Sequence, residues 1–328
     1  KYKHSVGVND ASFAVEEGEI FVVMGLSGSG KSTLIRCLNR LIEPTSGQVM
    51  IDGENIVEFD AEKLRAVRRK KIAMVFQNFA LLPHRTVAEN VAFGLEIQKE
   101  DEAVRRKKAV DMLEIVGLKG YENSYPSQLS GGMQQRVGLA RALATSPDVL
   151  LMDEAFSALD PLIRREMQDQ LLQLQAKLNK TIVFITHDLD EALRLGNRIA
   201  ILKDGELVQE GTPEDILLNP ANDYVQSFLQ DVNRTKVLNA THAVNPARLT
   251  LTMRSRPAHA VDRMKALNYE YAPVLDGKRL AGVLTAEAAE KAMQEGVRDV
   301  SRFVEDLASV PATAGLGEVL AQLVHSYQ

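Results

Sequence analysis

The segment that most constrains this chain is Gly25-Leu-Ser-Gly-Ser-Gly-Lys-Ser32, which follows the apolar run Ile20–Met24 and leads into a helical pattern from Lys31 to about Leu41. Spacing and flanks are those of a strand, a phosphate-binding loop and a helix. Glycines let consecutive backbone N–H groups turn inward on a phosphate chain where a Cβ would collide. The helix N-terminus adds unpaired donors and about half a positive charge. In this pattern Lys31 would reach the β- and γ-phosphates of a nucleotide triphosphate, and the Ser32 hydroxyl would ligate Mg²⁺. An ordinary glycine-rich turn needs neither the preceding strand nor the following helix.

Other strands support an α/β fold. Val149–Met152 and Thr181–Thr186 read as buried strands separated by helical patterns such as Arg164–Leu178, which implies a largely parallel sheet. The first delivers Asp153 and Glu154 at its carboxyl end, where ligands of open parallel sheets sit. Asp153 suits the Mg²⁺ shell as a hard oxygen ligand, and Glu154 suits proton abstraction from an attacking water. Gln77, after Ile72–Phe76, offers an amide to metal and water. His187 ends Thr181–Thr186 and either binds the γ-phosphate or orients the water. Ile199–Leu202 and Leu207–Gln209 flank Asp204-Gly205 as a hairpin, and Thr212-Pro213 starts a helix. A polar, helical insert fills roughly 78–147; its charged run Glu100–Lys108 reads as a solvated helix face.

Composition limits the function classes. Hydrophobic residues make up 45% and charged residues 25% of the 328, which describes a folding chain of about two domains. Apolar stretches such as Ile20–Leu26 fall far short of the roughly 18 residues that span a bilayer. Cys37 stands alone, so no internal disulfide forms, and with no leader pattern at the start a reducing cytosol is expected. The net charge of -5, with aromatics at 5% and no Trp, offers no broad footprint for nucleic acid, and no nucleic-acid partner is expected.

Leu129-Ser-Gly-Gly-Met-Gln-Gln-Arg136 and Ser157-Ala-Leu-Asp160 complete an ordered set with the phosphate loop, Gln77, Asp153-Glu154 and His187. With this set the chain resembles the ATP-binding subunits of ABC transporters. The stretches Met24–Gly47, Asp153–Arg164 and Asn219–Val225 look like the importer ATPases for glycine betaine and proline betaine, more than the methionine, polyamine or sugar branches. The resemblance implies an α/β P-loop ATPase with a mostly parallel sheet and a helical subdomain. ATP binding would fall to Gly25, Ser27, Gly28, Ser29, Gly30, Lys31, Ser32 and Thr33, with Tyr2 stacking on adenine. Ser130, Gly131, Gly132, Gln134 and Asp160 would complete the site, Ser130–Gly132 closing over ATP held by a second copy. Glu154, His187, Lys31 and Gln77 would serve catalysis, and Ser32, Gln77 and Asp153 would hold Mg²⁺. The implied assembly is a head-to-tail homodimer on a transmembrane permease, with a substrate-binding protein or domain, at the cytoplasmic face of the inner membrane. Its partner surface would lie at Phe79, Leu81, Leu82, Pro83 and His84. Alternatives are an importer ATPase for methionine or a polyamine, or a soluble ABC ATPase outside transport.

The character of the sequence changes near Asp231–Lys236, so an ATP-binding domain is expected over 1–234 and a second domain over 235–328. Tyr271–Asp276 and Leu280–Thr285 are similar to the strand pair of a CBS domain, a small α+β regulatory module. A faint second copy starts at Pro311 and is expected to be incomplete, since the given residues stop at Gln328 before its strands. The acid usual three residues after Thr285 is Ala288 here, so a ribose contact is missing; sensing of ions or a cyclic dinucleotide stands beside nucleotide binding.

Overall fold

The computed structural model describes residues 6–77, 80–230, 238, 240–243, 247–306 and 309–326. Two compact units, Lys1–Val232 and Asn233–Gln328, divide the chain. The boundary expected near 231–236 lies outside the described residues, as do Tyr2 and Phe79.

In the first unit the elements run β1 (Ile20–Met24), α1 (Lys31–Leu38), β2 (Met50–Ile51), β3 (Glu54–Asn55), α2 (Ala61–Lys70), β4 (Ile72–Val75), α3 (Val87–Ile97), α4 (Glu102–Ile115), α5 (Gly131–Ala144), β5 (Val149–Asp153), α6 (Pro161–Leu178), β6 (Thr181–Thr186), α7 (Leu189–Leu195), β7 (Arg198–Lys203), β8 (Glu206–Gly211), α8 (Pro213–Leu218) and α9 (Asp223–Phe228). The main sheet has the order β4-β5-β6-β1-β7-β8. All its pairs are parallel except β7 with β8, joined through Asp204 and Gly205, both at positive φ. That pair of left-handed residues is what a tight hairpin demands.

Period-2 burial shows why the sheet is central. Phe21, Val23, Leu151, Val183, Ile185, Ala200 and Leu202 face Leu34 and Ile35 of α1 and Val67 of α2. Alternate residues Val22, Met152 and Phe184 are fully buried as well, so both faces are covered. Phe184 lies 5.5 Å from the Phe156 ring. A parallel arrangement brings the carboxyl ends of β1, β4, β5 and β6 to one edge, and the loops that follow them carry the candidate chemistry.

Helix starts separate one helix from the rest. α2 to α9 each begin at a residue whose side chain accepts a backbone N–H: Asp60, Thr86, Asp101, Ser130, Asp160, Asp188, Thr212 and Asn222. α1 begins at Gly30 with no side-chain cap and no acid in its first turn. It also ends earlier than the expected Leu41, because Arg40 turns to φ +53 and its guanidinium donates to the Ile56 and Phe59 carbonyls at 2.8 Å.

The second unit holds α10 (Ala240–Ala243), β9 (Leu251–Thr252), α11 (Pro257–Leu267), β10 (Tyr271–Asp276), β11 (Arg279–Thr285), α12 (Ala286–Gln294) and α13 (Leu316–Ser326). Its sheet has the order β11-β10-β9, with β10 antiparallel to β11 and parallel to β9. Ala260, Val261 and Met264 of α11 and Ala289 of α12 pack against Val274 and Leu284. Thr285 caps α12 by accepting from the Ala288 N–H at 3.2 Å, so its hydroxyl is already engaged. Among the described residues no helix is long and apolar enough to cross a membrane.

Glu191 of α7 is buried, accepts from Gln168 Nε2 at 3.0 Å and is hydrogen-bonded to the Thr186 side chain. Burial pushes its carboxyl above the ordinary range, the hydrogen bonds pulling back. Its contribution to stability is therefore full below the unfolded-state value and declines as pH rises through the raised folded one. Glu191→Gln is expected to raise the unfolding free energy at pH 8 by on the order of 1 kcal/mol, read as a higher urea midpoint, and to do so less at pH 5; an equal effect at both pH values would contradict this.

Candidate functional site

The loop after β1 is fixed by contacts that only glycine permits. A Cβ on Gly25 would lie 2.3 Å from the Leu202 carbonyl oxygen of β7. At Gly30, where φ is +100, it would lie 1.9 Å from the Gly7 carbonyl oxygen. The Gly205 N–H donates to the Ser29 carbonyl at 3.0 Å, so the β7–β8 turn holds the loop from outside. Inside, Lys31 Nζ donates to the Gly25 and Leu26 carbonyls at 2.8 and 3.0 Å and lies 3.9 Å from Glu154 Oε1. Burial pushes the Lys31 ammonium below its ordinary value, with Glu154 and Asp153 pulling the other way. Ser29 is buried, and its Oγ has no hydrogen-bond partner. A buried cation, an orphaned hydroxyl and an uncapped helix start together suit an anion with several oxygens.

Asp153 closes β5 with a side chain only 5% exposed. Oδ1 accepts from Ser32 Oγ at 2.9 Å, and Oδ2 accepts from Arg36 Nη2 at 3.2 Å. Sequence reasoning missed Arg36; the available signal was its place one helical turn after Ser32, on the same face of α1. The described residues contain no cluster of three or more His, Cys, Asp or Glu able to hold a metal ion. A hydroxyl beside a carboxylate nonetheless fits Mg²⁺, which keeps waters and takes its remaining ligands from phosphates.

Glu154 follows at φ +46, a left-handed conformation that costs a non-glycine residue energy and concentrates at functional sites. His187 Nδ1 approaches its Oε2 at 3.5 Å, and Gln77 Nε2 approaches the same atom at 3.5 Å. Gln77 Nε2 also donates to Ser157 Oγ at 3.2 Å, and Ser157 Oγ donates to the Glu154 carbonyl at 2.9 Å. Ser157 is a second residue that sequence reasoning missed, although it opens the Ser157–Asp160 motif. The fold thus brings Lys31, Ser32, Gln77, Asp153, Glu154 and His187 together.

The remaining expected ligands lie apart from this cluster or are engaged elsewhere. Ser130 caps α5 through the Met133 N–H at 3.3 Å. Gly132 lies against α6, where a Cβ would sit 2.6 Å from Ile163 Cγ2. Among the described residues no hydrogen bond or ion pair joins Ser130–Gly132 to Lys31, Asp153 or Glu154. Gln134 Nε2 donates to the Pro126 and Leu129 carbonyls at 3.0 and 3.2 Å, so its amide braces the loop before α5. Asp160 Oδ1 accepts from the Leu162 and Ile163 N–H groups at 3.1 Å as the cap of α6. Ser27 and Gly28 are exposed, and Thr33 is half-buried against Gly7.

The loop after Gln77 is ordered around one buried amide. Asn90 accepts from the Leu82 N–H at 2.8 Å and donates to the Leu82, Arg85 and Thr86 carbonyls at 3.0 to 3.1 Å. Arg141 Nη1 donates to the Ala80 carbonyl at 2.7 Å. Leu81 and Leu82 are half-buried rather than exposed, whereas Ala80, Pro83 and His84 are exposed. Exposure in this segment therefore falls on Ala80, Pro83 and His84.

Residues 8–157 match the family model described as ABC transporter. The chain is 55% identical over 316 residues to the glycine betaine transport ATP-binding protein OpuAA of Bacillus subtilis, covering 96% of this chain and 75% of that protein. It is 53% identical over 323 residues to the glycine betaine/proline betaine transport system ATP-binding protein ProV of Escherichia coli, covering 97% and 81%. Among solved structures, the ATP-binding cassette MJ0796 in a dimeric post-hydrolysis state bound to ADP and Pi aligns with a TM-score of 0.59 at 38% identity, covering 65% of this chain and 94% of that one.

Arg36→Gln strips one partner from the buried Asp153 carboxylate, while the guanidinium it removes is 45% exposed and screened by water. A loss of about 1 kcal/mol is expected, read as a lower urea midpoint at unchanged slope without added nucleotide; an unmoved midpoint would remove Arg36 from the site.

Proposed function

The chain belongs to the ABC transporter family, among the ATP-binding subunits of glycine betaine/proline betaine importers, and on that premise we propose how its residues divide the work. It is an ATP hydrolase coupled to solute transport. The observation that carries the assignment of roles is the convergence of Lys31, His187 and Gln77 on the Glu154 carboxylate, beside the Ser32–Asp153 pair.

Gly25–Ser32 cradles the triphosphate with backbone N–H groups and the α1 N-terminus, and Lys31 turns its ammonium from the Gly25 and Leu26 carbonyls to the β- and γ-phosphates. Ser32 and Asp153, with the Gln77 amide, would hold Mg²⁺, which would neutralise phosphate charge. Glu154 takes a proton from water as the water oxygen attacks the γ-phosphorus and the bond to the β–γ bridging oxygen breaks. His187 and Gln77 hold that water and the Glu154 carboxylate in line. Positioning and charge stabilisation supply most of the acceleration.

Each site is half built within one chain. The Ser130 cap and the Gly131-Gly132 backbone open α5 as a second anion site, which completes the phosphate cradle of another copy in a head-to-tail homodimer. Asp160, at the start of α6, lies in the same surface. The dimer drives a membrane permease at the cytoplasmic face, fed by a substrate-binding protein or domain. Contact with the permease falls on the Ala80–His84 loop, held in shape by Asn90 and Arg141. Glycine betaine and proline betaine are the solutes named for the relatives, and we assign them here. The unit from Asn233 serves regulation, as one CBS-like half with α13 beginning a second.

Glu154→Gln tests the roles: ATP binding persists, hydrolysis falls by at least about a hundredfold, and a dimer accumulates on a sizing column under saturating ATP, so a chain that stays monomeric would count against the sandwich. With the permease, Pro83→Asp combined with His84→Asp should cut uptake of radiolabelled glycine betaine about tenfold or more while the isolated chain hydrolyses ATP as before. Uptake of labelled methionine in place of betaine would reassign the solute.

A further inference from the structure

Asn219–Val225, similar to the betaine importer ATPases, has no part in the hydrolytic mechanism. Its Tyr224 sits half-buried on α9, edge-on to Phe228 at 5.1 Å between ring centroids, with Lys203 Nζ 4.8 Å from its ring. Its hydroxyl donates to the Leu202 carbonyl at 3.2 Å. Leu202 is the residue whose carbonyl leaves no space for a side chain at Gly25. The Leu26 backbone interacts with the same phenolic oxygen, and the Leu26 carbonyl accepts from Lys31 Nζ at 3.0 Å.

We infer that Tyr224 is a positioning residue for the nucleotide loop, its hydroxyl tying the end of β7 and the backbone of Leu26 to α9. Gly205 already fastens Ser29 to the β7–β8 turn, so Tyr224 supplies the matching restraint near the other end of the loop. The loop closes on phosphate with its first peptides already set, and the ordering that binding would otherwise demand is reduced. The inference rests on the reading of Gly25–Ser32 as a nucleotide cradle.

The test uses the full chain and trinitrophenyl-ATP in equilibrium titration, with hydrogen exchange of the 25–30 segment as a second readout. Tyr224→Phe keeps the ring and its contacts and removes the hydroxyl. The dissociation constant should rise about three- to tenfold, the scale of one hydrogen bond, and exchange at Leu26 should quicken while the thermal midpoint stays near that of the unaltered chain. Phe228→Leu, which loosens α9 without touching the hydroxyl, should leave the dissociation constant unchanged. Affinity within twofold in Tyr224→Phe, or an equal loss in Phe228→Leu, would overturn the inference. Failure of the unaltered chain to bind would overturn the nucleotide reading instead.

Discussion

A helix that starts with unsatisfied backbone donors is the constraint around which the first unit is arranged. Eight helices of that unit open on a side-chain cap, and α1 opens on Gly30 with none. With no side chain competing for them, the first N–H groups of α1 stay open to the phosphate oxygens proposed for this loop. The missing cap has to be offset elsewhere. Leu34 and Ile35 anchor α1 on the sheet, and Gly25 and Gly30 allow β7 and Gly7 to press against the loop from both sides. The parallel sheet then follows from need: it brings β1, β5 and β6 to an end on one edge, so that Asp153, Glu154 and His187 meet a loop far from them in sequence.

Strain and support are paired at Glu154. Glu154 leaves β5 in a left-handed turn, and Ser157, through the Glu154 carbonyl and the Gln77 amide, holds that turn. Such a conformation persists only when its surroundings over-determine it. The buried Asp153 next to it is handled differently, with Ser32 and Arg36 each taking one oxygen. Adjacent acids in one turn therefore meet opposite treatments: one carboxylate locked by neutral and cationic partners, the other left among long, adjustable contacts.

Much of this was legible because it depends on local rules. The strand–loop–helix unit, the Asp204-Gly205 hairpin and the Thr212 cap are each specified by a few consecutive residues. The strand ends at Asp153 and His187 were readable from apolar runs closing on a polar residue. What escaped depends on distance through space. Arg36 matters because α1 crosses the end of β5, Asn90 because α3 folds the preceding loop around its amide, and Tyr224 because α9 returns to the end of β7. Leu81 and Leu82 look like an exposed patch in sequence, since nothing in their composition announces the buried Asn90 that binds the Leu82 backbone. The start of α6 at Pro161, ahead of the expected Arg164, is a local signal that went unused, because Asp160 was weighed as a ligand and not as a cap.

The place of β4 in the sheet has a mechanical consequence. It is an edge strand, paired only with β5, and it carries Gln77 just beyond its last paired residue. Every other strand that feeds the cluster is flanked on both sides, so displacing it would tear two ladders of backbone hydrogen bonds. Sliding β4 shears one. The sheet therefore has a stiff half, carrying Lys31, Asp153, Glu154 and His187 at its strand ends, and a compliant margin that carries Gln77. A push delivered to that margin would reach Gln77 first and, through its bonds to Ser157 and Glu154, the turn that carries the second acid.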